Sequence, residues 1–77
     1  MASGNALLRR VDSADGKRYV ELRAHGDLFV FEEFAEATDG DYTFIAPSHC
    51  SGLYATSSEA ERDMMAELPW LREGKVR

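Results

Sequence analysis

The chain reads as an α+β domain: an antiparallel β-meander of three to four strands, followed by one C-terminal helix packed on one face of the sheet. Three observations predict it. Turn signals recur at short intervals through the first two thirds of the chain, as Asp15-Gly16, His25-Gly26-Asp27 and Asp39-Gly40. The segments between them are strand-length and alternate apolar with polar residues. After Gly52 the period changes from two to that of a helix.

Residues 6–12 form the weakest strand signal, an edge strand or an arm. Residues 17–24 alternate cleanly. Val20, Leu22 and Ala24 fall on one face, and Tyr19, Glu21 and Arg23 on the other, as in a sheet covered on one side. Leu28-Phe29-Val30-Phe31 is apolar on both faces, which places residues 28–34 centrally. Glu32-Glu33 interrupts the alternation before Phe34 and predicts a bulge or the strand's exit. Residues 41–46 alternate again, and Pro47, which has no N–H for a ladder bond, is expected to end that strand. Leu53-Tyr54-Ala55 can add a last short strand.

Thr56-Ser57-Ser58-Glu59 is a capping box, with the Thr56 hydroxyl accepting from the third helical N–H and Glu59 reaching back to the cap. Ala60, Met64, Leu68 and Leu71 then line one helical face. Pro69 disfavours helical geometry at Leu68, so the helix is expected to end or kink there, and Trp70 to cover the edge of the core. One helix covers one face. The second face of the central strand therefore needs the N-terminal arm, the Trp70 segment or a second copy of the chain, or stays exposed.

Seventy-seven residues make one domain, with 1–5 and 73–77 expected to fray. A chain of this size buries only about 60% of its unfolded surface, so each large apolar residue matters. With 44% apolar and 10% aromatic residues it has the composition of a folded protein rather than of a disordered one. Cys50 is the single cysteine, so no internal disulfide forms. No stretch approaches the roughly 20 apolar residues of a membrane span. A reducing, cytoplasmic setting is the expectation. A net charge of -5 disfavours direct binding to nucleic acid or to an anionic membrane.

Chemistry-bearing clusters are sparse. His49 and Cys50 are adjacent, and neighbours in an extended segment point apart, so they make a poor nucleophile–base pair; Cys50 reads instead as a small hydrophobe. Zinc would need about four Cys or His ligands, and the chain has one Cys and two His. Asp39-Gly40-Asp41 lacks the other oxygen ligands of a calcium loop and reads as a turn. The glycines are scattered singly rather than gathered into a phosphate loop. No catalytic residue, metal or cofactor is expected.

Charge is the remaining signal. Between Ala24 and Leu71 lie ten acidic residues and one basic residue, Arg62. Glu59, Glu61 and Asp63 suit a helix N-terminus, where the dipole favours negative charge. Glu32, Glu33, Glu36, Asp39 and Asp41 have no such role and enclose Phe34. A solvated face accounts for many charge runs. An aromatic residue among acids also supplies the anchoring area that charge alone lacks. The expected function is a small non-catalytic binding module or inhibitor, with Glu32, Glu33, Phe34, Glu36, Asp39 and Asp41 docking on the basic surface of a protein partner. By analogy of size and charge alone, that partner would be a nucleic-acid-handling complex, as for phage-type anti-CRISPR and anti-restriction inhibitors. The alternative is a self-associating accessory subunit, a homodimer through the open sheet face or an edge strand.

Overall fold

The computed structural model describes residues 5–77, with the side chain of Asn5 excepted, and the fraying expected for residues 1–4 lies outside the described part. Four strands, β1 (Asn5–Asp12), β2 (Arg18–His25), β3 (Leu28–Asp39) and β4 (Tyr42–Cys50), form one antiparallel sheet in the order β1-β2-β3-β4. Helix α1 (Ser57–Glu67) and a single turn, α2 (Pro69–Arg72), follow. This is the expected α+β meander, with four strands.

The hairpin turns set the register. Gly26 and Gly40 have φ of 65° and 62°, and no other residue type has a positive φ among the described residues. Each is the first central residue of a two-residue loop, the position a type II′ turn reserves for glycine. His25 therefore pairs with Leu28, and Asp39 with Tyr42. With the register fixed, alternation sends Val20, Leu22, Phe29, Phe31 and Glu33 to one face, and Tyr19, Glu21, Val30, Glu32 and Phe34 to the other.

The first face carries the core. Phe31, Val20 and Leu22 bury against Ala60 and Met64 of α1, and Leu68, Trp70 and Leu71 close the end of the layer. Helix α1 starts at the Thr56 cap, whose hydroxyl accepts from the Glu59 N–H at 3.2 Å. The reciprocal half of the capping box differs from expectation: the Glu59 carboxylate accepts from the Thr56 hydroxyl at 3.1 Å rather than from a main-chain N–H. The helix ends at Leu68, before Pro69, as the sequence predicts.

Several boundaries differ from the sequence reading. Strand β3 runs five residues past Phe34, to Asp39, because Ala35 and Ala37 pair with Ala46 and Phe44 in the projecting hairpin. Strand β4 continues through Pro47 to Cys50. The main-chain alternation explains this. The Glu36 N–H donates to Lys17 O at 2.8 Å, toward β2, whereas Phe29 exchanges bonds with Tyr54 on the other side. Odd residues of β3 thus face β4, so Ala35, Ala37 and Asp39 exchange bonds with Ala46, Phe44 and Tyr42. The nitrogen of Pro47 points to the outer edge, and no ladder bond is lost. The irregularity expected at Glu32-Glu33 falls between Glu33 and Phe34, and the extra residue, Ser48, is on β4.

Tyr54 adds one bridge to Phe29 in place of a strand over 53–55. The tail expected to fray from Glu73 is tied back to β1: Ala14 N–H donates to Lys75 O at 3.0 Å and Arg77 N–H to Asp12 O at 2.9 Å.

Candidate partner-binding surface

Alternation along β3 divides the acidic stretch. Glu33 lies on the helix side and is 7% exposed. Its carboxylate accepts from Trp70 Nε1 at 2.7 Å and from the Ser48 hydroxyl at 2.9 Å, and the Arg18 guanidinium lies 3.6 Å away. Three elements converge on this side chain, so its hydrogen-bonding capacity is used inside the protein. A buried carboxylate without such partners would be costly.

Glu32, Phe34 and Glu36 share the opposite, open face, at alternate positions of one strand. Phe34 is half-buried there. Its ring stacks on Tyr19 with centroids 4.8 Å apart and planes 17° from parallel, and the Arg10 guanidinium sits 3.8 Å over the far side of Tyr19. Pro47 pairs with Phe34 on the remaining side. A ridge of one cation, two rings and a proline thus crosses all four strands.

The cations of this face are already engaged. Arg10 grips Asp12 through Nε at 2.9 Å and a second nitrogen at 3.1 Å, and Arg23 grips Glu21 at 3.1 and 2.8 Å. The bond from Arg10 holds the Asp12 carboxyl below its ordinary pKa, and Asp12 in turn raises that of Arg10. Glu32 and Glu36 form no ion pair among the described residues, and they straddle Phe34 at about 7 Å to either side along the strand. Asp39 and Asp41 stand apart, at the tip of the β3–β4 hairpin, both exposed.

Strand alternation separates His49 and Cys50. The imidazole lies on the helix side, 2.9 Å from Glu67, with its ring near Phe31, while Cys50 is opposite Glu32 on the open face. No group of three or more metal-ligating side chains is gathered among the described residues, and no helix among them is long and apolar enough to cross a membrane.

A shallow cleft of about 340 Å³ lies between the β1–β2 turn and Trp70, lined by Ser13, Ala14, Asp15, Arg18, Trp70 and Lys75. Its polar groups are satisfied locally. Ser13 donates to Asp15 at 2.6 Å, Asp15 accepts from the Lys17 N–H, Arg18 leans on Glu33, and Lys75 pairs with Glu73 at 3.2 Å.

The sequence reading singled out Phe34 and its acidic neighbours but did not identify Tyr19 or Arg10 as part of the surface. The signal was present: a two-residue loop at Gly26-Asp27 makes Tyr19 the partner of Phe34. The Glu33–Trp70 bond had no such signal, because it joins residues 37 apart in the chain. No protein-family model, no curated protein and no solved structure matches this chain.

Proposed function

We propose that the protein is a non-catalytic binding module whose open sheet face docks on a basic surface of a protein partner. The observation that carries this reading is the pair of carboxylates, Glu32 and Glu36, which form no ion pair among the described residues and stand on either side of the Phe34–Tyr19 stack. A rigid aromatic pair supplies contact area at low entropic cost, and flanking charges without internal partners are free to meet arginine or lysine. Arg10 and Arg23 do not oppose a basic partner strongly, because Asp12 and Glu21 neutralise them in place. Asp39 and Asp41 extend the negative field to the hairpin tip and contribute to the rate of encounter. Glu33 serves the fold in this reading rather than the contact.

The single cysteine, Cys50, suits a reducing compartment, and we place the interaction in the cytoplasm. A protein that handles nucleic acid offers a basic groove of the required kind. An inhibitor would occupy it as an acidic surrogate for phosphate.

The test is affinity capture from the native host's lysate after nuclease treatment, comparing the native chain with Glu32→Gln/Glu36→Gln and with Phe34→Ser. Both variants should lose at least tenfold of the captured partner, and capture should weaken as salt is raised. Equal capture by all three proteins would overturn the reading.

A further inference from the structure

Strand β4 is a sheet edge with little protection. From Tyr42 to Cys50 it carries no Asp, Glu, Lys or Arg. Tyr42, Phe44 and Ile45 are 78%, 46% and 44% exposed. The other edge is managed differently. Strand β1 has a bulge at Leu8 and charges at Arg9 and Arg10, and the tail closes its end through the Ser13–Val76 bridge. Charges, bulges, proline and coverage are the usual guards of an edge; β4 has Pro47 and the Ser48 bulge toward its end, and none of these guards between Tyr42 and Ala46. Helix α1 reaches β4 through His49 and Glu67, beyond that segment.

We infer that the β4 edge is a self-association site, pairing antiparallel with β4 of a second copy of this chain about a two-fold axis at Phe44. The main-chain alternation of β4 dictates the register. Thr43, Ile45 and Pro47 turn their polar groups outward, and Pro47 has no N–H to give. Pairing Thr43 with Ile45 of the second copy lets both residues exchange both ladder bonds without calling on Pro47 or the turn. Phe44 then faces its own mate across the axis, on the helix side. The strand's neutrality removes the charge penalty of self-pairing. Antiparallel pairing also keeps the two acidic turns, Asp39 to Asp41, roughly 20 Å apart along the strand, beyond the ~8 Å Debye length at physiological salt. Parallel pairing would bring them together.

A second copy suits this edge better than a foreign strand, because an isologous contact needs one self-complementary surface and β4 is one. The paired segment spans about 17 Å, short beside standard interfaces, so the dimer is reversible at micromolar concentration. The product is one continuous sheet. It sets the two open faces side by side, which would raise avidity for a partner with repeated basic sites. The inference does not depend on that docking.

The test uses the full chain. Analytical ultracentrifugation from 1 to 100 µM should show mass rising from 8.6 kDa toward twice that value. Directly opposed residues of a non-hydrogen-bonded antiparallel pair have Cα atoms about 4.5 Å apart, within disulfide range. In a Cys50→Ser background, Phe44→Cys should therefore crosslink under mild oxidation at least tenfold faster than the more exposed Tyr42→Cys, whose mate lies four positions away. Phe44→Lys should weaken dimerisation at least tenfold while its circular dichroism remains that of the native chain, and Glu32→Gln/Glu36→Gln should leave the mass unchanged. A monomer at 100 µM, or crosslinking at Tyr42→Cys as fast as at Phe44→Cys, would overturn the inference.

Discussion

Glu32 and Glu33 are one position apart in the chain and lie on opposite faces of the sheet. Glu32 meets solvent on the open face, whereas Glu33 sits behind Trp70, with Ser48 and Arg18 also directed at it. Hydrogen bonds to a buried carboxylate are charge-assisted and worth more than neutral ones. Trp70→Phe keeps most of the apolar contact and removes the indole donor. It should cost about 1–2 kcal/mol in urea unfolding, and Glu33→Ala, which strands the Trp70 donor as well, about 2–3 kcal/mol. If Trp70→Phe were as stable as the native chain, the bond would have no net value. Neither variant should be read as a test of partner binding, because both act on the fold.

At the scale of elements, β4 and α1 show how local grammar succeeds or fails. The Thr56 cap follows from four consecutive residues, and the structure places its hydroxyl on the Glu59 N–H. Thr56→Ala should therefore lower stability by about 1 kcal/mol, read as a shifted urea midpoint at constant m-value. An unchanged midpoint would mean that solvent satisfies the helix start equally well. Strand β4 is the counter-case. Pro47 is a strand terminator in isolation, yet β4 passes through it, since only the neighbouring strand decides which way a proline nitrogen points. The same β3–β4 pairing decided that β3 continues to Asp39. Residues 35–38 have modest β propensity, and their pairing with β4 outweighs it.

For the molecule as a whole, a few ionisable groups whose pKa shifts in the folded state set a stability window. Asp12 is lowered by its bond from Arg10, and Asp15 chiefly by the Ser13 hydroxyl, with the Lys17 N–H next. Groups lowered in the folded state stabilise it above their ordinary carboxylate pKa, and that contribution is lost as pH falls through the lowered values. Tyr54 is raised, first by burial and then by Asp63, so its contribution is present below the ordinary phenol pKa and is lost as pH rises through the raised one. Urea midpoints should accordingly form a plateau across neutral pH, falling in acid below the usual carboxylate range and again in strong alkali. Asp12→Asn should flatten the acid limb. Identical acid limbs for the native chain and this variant would exclude Asp12 from the linkage.

What the sequence by itself determined was local. The two-residue loops at Gly26 and Gly40 need a positive φ, period-two alternation sorts Val20 and Leu22 from Tyr19 and Glu21, and a four-residue cap starts α1. These signals act over a few residues, so they survive in a single sequence, and they were enough for an α+β meander with a C-terminal helix. The acidic stretch was equally legible as composition. Its division was decided by the tertiary structure. Glu33 joined the interior only because α2 delivers Trp70 to the helix face of β3, and Glu32 and Glu36 form no ion pair among the described residues because Arg10 and Arg23 found partners on their own strands. The free edge at Thr43 and Ile45 likewise exists only once β3 has taken the other side of β4. Contacts between residues tens of positions apart depend on where the elements pack, and neither periodicity nor propensity records that.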